Sequence, residues 1–229
     1  MEQAVVTGDF FIFVAFYSLA ICRHRIPPRR VARVLEILSR AGIQLCIGQS
    51  EEGLFLNDIS VSLDDYIEMI RLKTASLFRA AAESGAILGG GTKRHTSAVA
   101  TFAESLGIAF QMLDDTSPYI LTAAELGKSN ISDIKNGRTT FPIIVALRDG
   151  SEDERHALAA IFRNPALDPI QKHAEIKHVL VRSGALTTAN QIIDHYLHLA
   201  LESLSRLPAS GSRMRLESIV LSLIQRLRG

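Results

Sequence analysis

Apolar side chains recur every three or four residues along almost the whole chain, and no stretch alternates apolar with polar as a strand would. That periodicity predicts an all-α fold. The spacing places helices near 3–21, 28–49, 63–87, 95–117, 140–148, 152–163, 169–183, 186–206 and 212–227. The third has a clear start signal: Ser62 as cap with Asp65 three residues on, ahead of Ile67, Ile70, Thr74, Leu77, Phe78 and Ala81. Gly89-Gly90-Gly91 marks its end. Pro27-Pro28 opens the second helix, because a first turn has no N–H to lose. The chain has 229 residues, 47% of them hydrophobic, with no internal repeat and no linker-like tract. One domain spanning 1–229 follows.

Charge excludes some partners. With 25 basic and 24 acidic residues the net charge is +1, which gives no electrostatic footprint for nucleic acid. Cys22 and Cys46 form neither a metal-type spacing nor a disulfide framework, so a reducing cytoplasm is the expected location. Ala4 to Cys22 is almost wholly apolar and is followed by Arg23, Arg25, Arg29 and Arg30. Asp9 interrupts the run, and a charge at mid-depth of a bilayer is costly. No positive charge precedes the stretch, as a signal peptide would require. A buried core helix is therefore expected, with membrane contact as the alternative. Within it Phe10, Phe13 and Tyr17 form a stripe with helical spacing.

The segment Phe110 to Tyr119 carries the sharpest chemistry. On a helix Gln111, Asp114 and Asp115 share one face, and two adjacent carboxylates need a cation or a base beside them. Hard oxygen ligands of this kind suit Mg²⁺ whose shell is completed by substrate phosphates. Around the pair stand Lys73-Thr74, Gly127-Lys128-Ser129, Asp133 and Gly137-Arg138-Thr139-Thr140-Phe141-Pro142. Lysine meets phosphate as a point charge and arginine as a fork. Two competing motifs fall away. Gly127-Lys128-Ser129 mimics the end of a Walker A loop, but Thr122 stands at its first glycine. His195 and His198 beside Asp194 lack a third ligand.

In this order and spacing the chain resembles the polyprenyl synthetase family, the trans-isoprenyl diphosphate synthases. The resemblance rests on Ala4-Val5-Val6-Thr7-Gly8-Asp9-Phe10, Gly48-Gln49, Lys73-Thr74, Phe110-Gln111-Met112-Leu113-Asp114-Asp115, Gly127-Lys128 and Arg138-Thr139-Thr140-Phe141-Pro142. It implies an isoprenoid synthase-type helical bundle. It further implies that Lys73, Thr74, Gln111, Lys128 and Arg138 hold the diphosphate of an allylic substrate. Asp114, with Asp115 nearby, would bind Mg²⁺. The family ionises the allylic diphosphate, and the double bond of isopentenyl diphosphate attacks the resulting carbocation. Family helices of the 4–22 region also build a dimer interface, so part of the Phe10 stripe is expected against another subunit.

The departures shape the expected function. The family's first aspartate-rich motif and its arginines would precede residue 4, so the bundle is expected to be incomplete at its N-terminus. Pro118 stands where the family's second motif has its third aspartate, and a helix is expected to end its turn there. Arg138 replaces a lysine. The expectation is an impaired or auxiliary subunit, as a homodimer or paired with a complete synthase. An intact prenyltransferase with a misassigned start and a non-enzymatic, membrane-associated binding protein are the alternatives.

Overall fold

The computed structural model describes residues 2–127 and 129–228, and among these there are helices and no strands. The order is α1 (Glu2–Ile21), a 3-10 turn (Cys22–His24), α2 (Pro28–Leu54), α3 (Leu63–Ile70), a π-turn (Arg71–Ala75), α4 (Ser76–Leu88) and α5 (Lys93–Ile120). Two short helices follow, α6 (Ala123–Leu126) and α7 (Ser132–Lys135). The chain ends with α8 (Phe141–Asp149), α9 (Glu152–Arg163), α10 (Pro169–Arg182), α11 (Ala185–Ser205) and α12 (Gly211–Arg228). The fold is the all-α bundle that the periodicity predicted.

Helix starts follow local chemistry. The Ser62 hydroxyl accepts the Asp65 N–H at 3.1 Å, and Thr122, Ser151 and Asp168 each complete a capping box. Each such cap satisfies amide donors that a helix N-terminus leaves without intrahelical partners. Pro28 occupies the first turn of α2.

The core is centred on α5, which packs between α4 and α11. Its buried face is rich in small side chains, including Ala103, Ser105, Gly107 and Ala109, so neighbouring backbones approach closely. A Cβ on Gly107 would lie 2.7 Å from the Ala75 Cα, inside van der Waals contact. From the other side, a Cβ on Gly48 of α2 would lie 2.5 Å from the Lys73 backbone nitrogen. The π-turn 71–75 is thus held between two glycines, and Ala75 is fully buried.

Four expectations need correction. The helix predicted over 63–87 is not continuous: five residues of π geometry interrupt it, with the extra residue absorbed where both faces are closely packed. Helix α2 runs to Leu54 rather than 49, which carries Glu52 to the interior. The turn does not end at Pro118, because α5 continues to Ile120 with the proline inside it. There the Leu121 N–H reaches the Ser117 carbonyl at 2.9 Å, and His173 Nε2 meets the Pro118 carbonyl at 3.1 Å. Tyr119, stacked on His173 with ring centroids 5.2 Å apart, buries the last turn.

The fourth correction concerns residues 4–22. Helix α1 is not a core helix of this chain: Phe13 is 71% exposed and Tyr17 69%, whereas Leu19 is buried. The segment Gln3–His24 is long and apolar enough to cross a membrane by length and composition, with a mean hydropathy of 2.0. Apolar side chains surround the helix on all sides, so it lacks the polar face of an ordinary surface helix.

Candidate functional site

Four elements and one loop bring polar groups together at one end of the bundle. The last two turns of α2 supply Gln49 and Glu52, and the π-turn supplies Lys73 and Thr74. Helix α5 supplies Gln111, Asp114 and Asp115, α7 supplies Asp133, and the segment after α7 supplies Arg138, Thr139 and Thr140. The π geometry matters here because it rotates Lys73 and Thr74 away from the register that a continuous α-helix would impose.

The loop carrying Arg138 is clamped to the turn after α2. Asn57 adopts a left-handed conformation at φ 59° and donates its N–H to the Gly137 carbonyl at 2.7 Å. Gly137 has φ 72°, and a Cβ there would lie 2.4 Å from Asn57 Oδ1, so only glycine fits this crossing. The Thr139 hydroxyl donates to the Asp58 carbonyl at 2.8 Å. Together these bonds set Arg138 beside Glu52.

Two hydrogen-bonded groups result. In the first, Lys73 Nζ lies 2.7 Å and Arg138 Nη2 3.3 Å from Glu52, and Arg138 Nη1 lies 3.0 Å from Asp133. Burial alone would raise the Glu52 carboxyl, but hydrogen bonds from Lys73 and Gln49 and the charges of Lys73 and Arg138 outweigh it. The net effect holds Glu52 below the usual carboxylate range. In the second, the Thr74 hydroxyl donates to Gln111 Oε1 at 2.8 Å, and Gln111 Nε2 donates to Asp115 Oδ1 at 2.9 Å. The other Asp115 oxygen accepts the Tyr66 hydroxyl at 2.9 Å and the Phe141 N–H at 3.3 Å. Burial pushes Asp115 up to about 6, against the pull of the Gln111 and Tyr66 hydrogen bonds. Burial, and after it the neighbouring Asp115 charge, likewise pushes the Tyr66 phenol well up.

Of the residues singled out from sequence, Lys73 and Arg138 meet through Glu52, and Thr74 meets Gln111. Asp115 turns inward with both oxygens engaged, and Asp114 sits half-buried one residue earlier on the same helix. Lys128 lies outside the described residues. Glu52 and Tyr66 went unnoticed in the sequence. Glu52 is three residues beyond Gly48-Gln49 on a helix expected to stop at 49, and Tyr66 reads as ordinary core. Gly127 caps α6 at φ 66°, consistent with a helix end rather than a phosphate loop. His198 bonds back to Asp194 on the exposed face of α11. Among the described residues no group of three or more His, Cys, Asp or Glu is placed to hold a metal by protein ligands alone. The hard oxygens of Asp114 fit a share of a Mg²⁺ ion whose remaining ligands come from phosphate and water.

An apolar surface adjoins these groups. Phe110 precedes Gln111 and is 45% exposed, and Leu77, one turn beyond Thr74, is 41% exposed. Phe78 packs on Phe110 with ring centroids 5.5 Å apart.

Comparison with known proteins matches this description. The polyprenyl synthetase family model fits residues 1–180. A short chain isoprenyl diphosphate synthase from Methanothermobacter thermautotrophicus is 30% identical over 224 residues, 98% of this chain and 67% of that protein. A geranylgeranyl diphosphate synthase from Sulfolobus acidocaldarius is 28% identical over 213 residues, 92% of this chain and 63% of its own. Geranylgeranyl pyrophosphate synthetase from Pyrococcus horikoshii superposes with a TM-score of 0.86 at 32% identity, covering 99% of this chain and 68% of that one. Polyprenyl synthase from Caulobacter crescentus, complexed with calcium and isoprenyl diphosphate, gives 0.84 at 28% identity and covers 96% and 64%. The chain thus spans about two thirds of the length of these relatives. On the family match and the shared fold, this chain belongs to the polyprenyl synthetase family of prenyltransferases.

Proposed function

We propose that this site binds the diphosphate of an allylic isoprenyl substrate, in the chemistry of head-to-tail condensation with isopentenyl diphosphate. The observation that carries the reading is the convergence of Lys73 and Arg138 on a single carboxylate oxygen, next to the half-exposed Phe110 and Leu77. An anion held between two cations, with an apolar surface alongside, matches a diphosphate head with a hydrocarbon tail. Thr74 and Gln111, fixed to each other, add hydroxyl and amide groups to the head site.

In this mechanism the leaving group carries the charge that must be met. Lys73 and Arg138 offer fixed cations to the departing diphosphate, and Lys128 would add a third. Mg²⁺ bound with it would supply the rest of the charge neutralisation, with Asp114 as its protein ligand and Asp115 as that helix turn's support. The apolar side chains exclude water, which would otherwise quench a carbocation.

The 229-residue chain alone is proposed to be impaired. Pro118 stands where a carboxylate would serve the metal, and both oxygens of Asp115 are committed to the protein. The chain then acts as a cytoplasmic auxiliary subunit, a homodimer or a partner of a complete synthase. Calorimetric titration of an allylic diphosphate with Mg²⁺ tests the binding. The chain binds weakly at low salt, and Lys73→Ala loses ~1–3 kcal/mol through a missing charged hydrogen bond. Equal binding by both proteins, or by neither, overturns the assignment. Radiolabelled isopentenyl incorporation tests the impairment, and turnover comparable to a complete synthase overturns that part.

A further inference from the structure

One oxygen collects the donors of this site. Glu52 Oε2 accepts Gln49 Nε2 at 2.9 Å, Lys73 Nζ at 2.7 Å and Arg138 Nη2 at 3.3 Å. Two of the three donors are cationic, and the Glu52 side chain is only 14% exposed. A phosphate oxygen would be received by the same set. The other Arg138 nitrogen is taken by Asp133. Lys73 and Arg138 together carry two positive charges, and Glu52 and Asp133 carry two negative ones, so these four side chains sum to zero.

We propose that Glu52 is an internal counter-anion that competes with the substrate diphosphate for Lys73 and Arg138. This rests on the diphosphate reading of the site above. It gives the residue a part in selectivity: a bare diphosphate meets cations already neutralised and a carboxylate at contact range. A diphosphate whose charge is partly cancelled by a divalent cation meets far less repulsion. Glu52 thereby biases the site toward the metal complex of the ligand over the free anion. Gln49 and the long reach of a glutamate stem serve this arrangement, because one carboxylate oxygen must span α2, the π-turn and the loop after α7. Local charge supports the role, since the two cations keep Glu52 ionised at neutral pH.

The test uses the whole 229-residue chain and inorganic pyrophosphate, titrated calorimetrically at low ionic strength with a chelator and again with Mg²⁺. Glu52→Gln keeps the size and one acceptor oxygen, exchanges the other for an NH2 donor and removes the charge. It should bind metal-free pyrophosphate about fivefold or more tightly than the wild type, with a smaller gain when Mg²⁺ is present. Glu51→Gln, one residue away, controls for overall charge and should stay within about twofold. Glu52→Asp, too short to span both cations, should fall between and serves if the glutamine variant does not fold. Equal or weaker metal-free binding by Glu52→Gln overturns the proposal, as does a loss confined to Mg²⁺, which would make Glu52 a metal ligand. If Lys73→Ala abolishes binding while Glu52→Gln changes nothing, the diphosphate site stands and only the counter-anion falls. If no variant binds pyrophosphate, the diphosphate reading itself fails.

Discussion

Single residues in this protein act mainly by what they permit nearby. Gly48 carries no side chain, and that absence lets α2 lie against the π-turn. Adding a Cβ would place it 2.5 Å from the Lys73 nitrogen and 2.8 Å from the Met69 carbonyl oxygen. Both are backbone atoms and cannot swing aside. Gly48→Ala should therefore lower unfolding stability by ~1–3 kcal/mol, as overpacking does, and weaken diphosphate binding by displacing Lys73. Urea denaturation and titration read the two effects. Asp115 acts through charge. Its carboxyl rises from an ordinary 3.8 to about 6, so the folded state holds its proton more tightly than the unfolded chain. That contribution is complete below about pH 4 and is lost as pH rises to 6, a swing of ~3 kcal/mol at 1.36 kcal/mol per unit. His173 acts in the opposite sense. Burial holds its imidazole below the ordinary range despite the Pro118 hydrogen bond, so its share of stability is lost on acidification below ~6.5. Asp115→Asn separates them: the stability difference between wild type and variant should shift in the variant's favour from pH 4 to 6. A flat difference would show that Asp115 is not titrating there.

At the scale of elements, the end of α5 shows how a local rule yields to packing. Proline biases the residue before it away from the helix and removes a donor. Three features hold the last turn nonetheless. The Ser117 hydroxyl bonds back to the Leu113 carbonyl at 2.6 Å, Tyr119 is buried, and His173 of α10 meets the Pro118 carbonyl. That carbonyl belongs to the last turn, where intrahelical donors run out. His173→Phe keeps the ring stacked on Tyr119 and deletes the donor, so it should destabilise the protein by ~1–3 kcal/mol through a buried unpaired carbonyl. Equilibrium unfolding checks this, and full stability in the variant would mean that water reaches the carbonyl. The same comparison explains what was legible in the sequence. Helix starts at Ser62, Pro28, Ser151 and Asp168 rest on contacts within one turn, so a linear reading finds them. The π-turn has no such signal, because its cause is Gly48 and Gly107 pressing from two other helices.

For the whole molecule, the leading question is what covers α1. Phe10, Phe13 and Tyr17 lie largely exposed, and the outer side of α2 adds Leu35, Ile43, Ile47 and Leu54. An apolar surface of this extent marks an interface in a soluble protein. The expected outcome is self-association at micromolar concentration, by sedimentation velocity, with Phe13→Ser and Tyr17→Ser together shifting the protein toward monomer. A soluble monomer that unfolds cooperatively would overturn this. The membrane alternative predicts a different result. The Arg23, Arg25, Arg29 and Arg30 cluster beside α1 would then draw the chain onto anionic vesicles in a flotation assay.

The sequence by itself determined the long helices, their order and the family, because apolar spacing and caps are local and the Lys73-Thr74 and Phe110 to Asp115 motifs are contiguous; the short helices α6 and α7 it missed. It also named most of the cations and carboxylates of the site. What it left undecided was how those groups pair. Glu52 joins Lys73 and Arg138 across 21 and 86 positions. The Tyr66 hydroxyl reaches Asp115 across 49. No local pattern encodes such distances; close packing at Gly48, Gly107 and Gly137 does. Tertiary structure also decided the place of α1: its composition suits a protein core, but the folded chain leaves most of its surface uncovered.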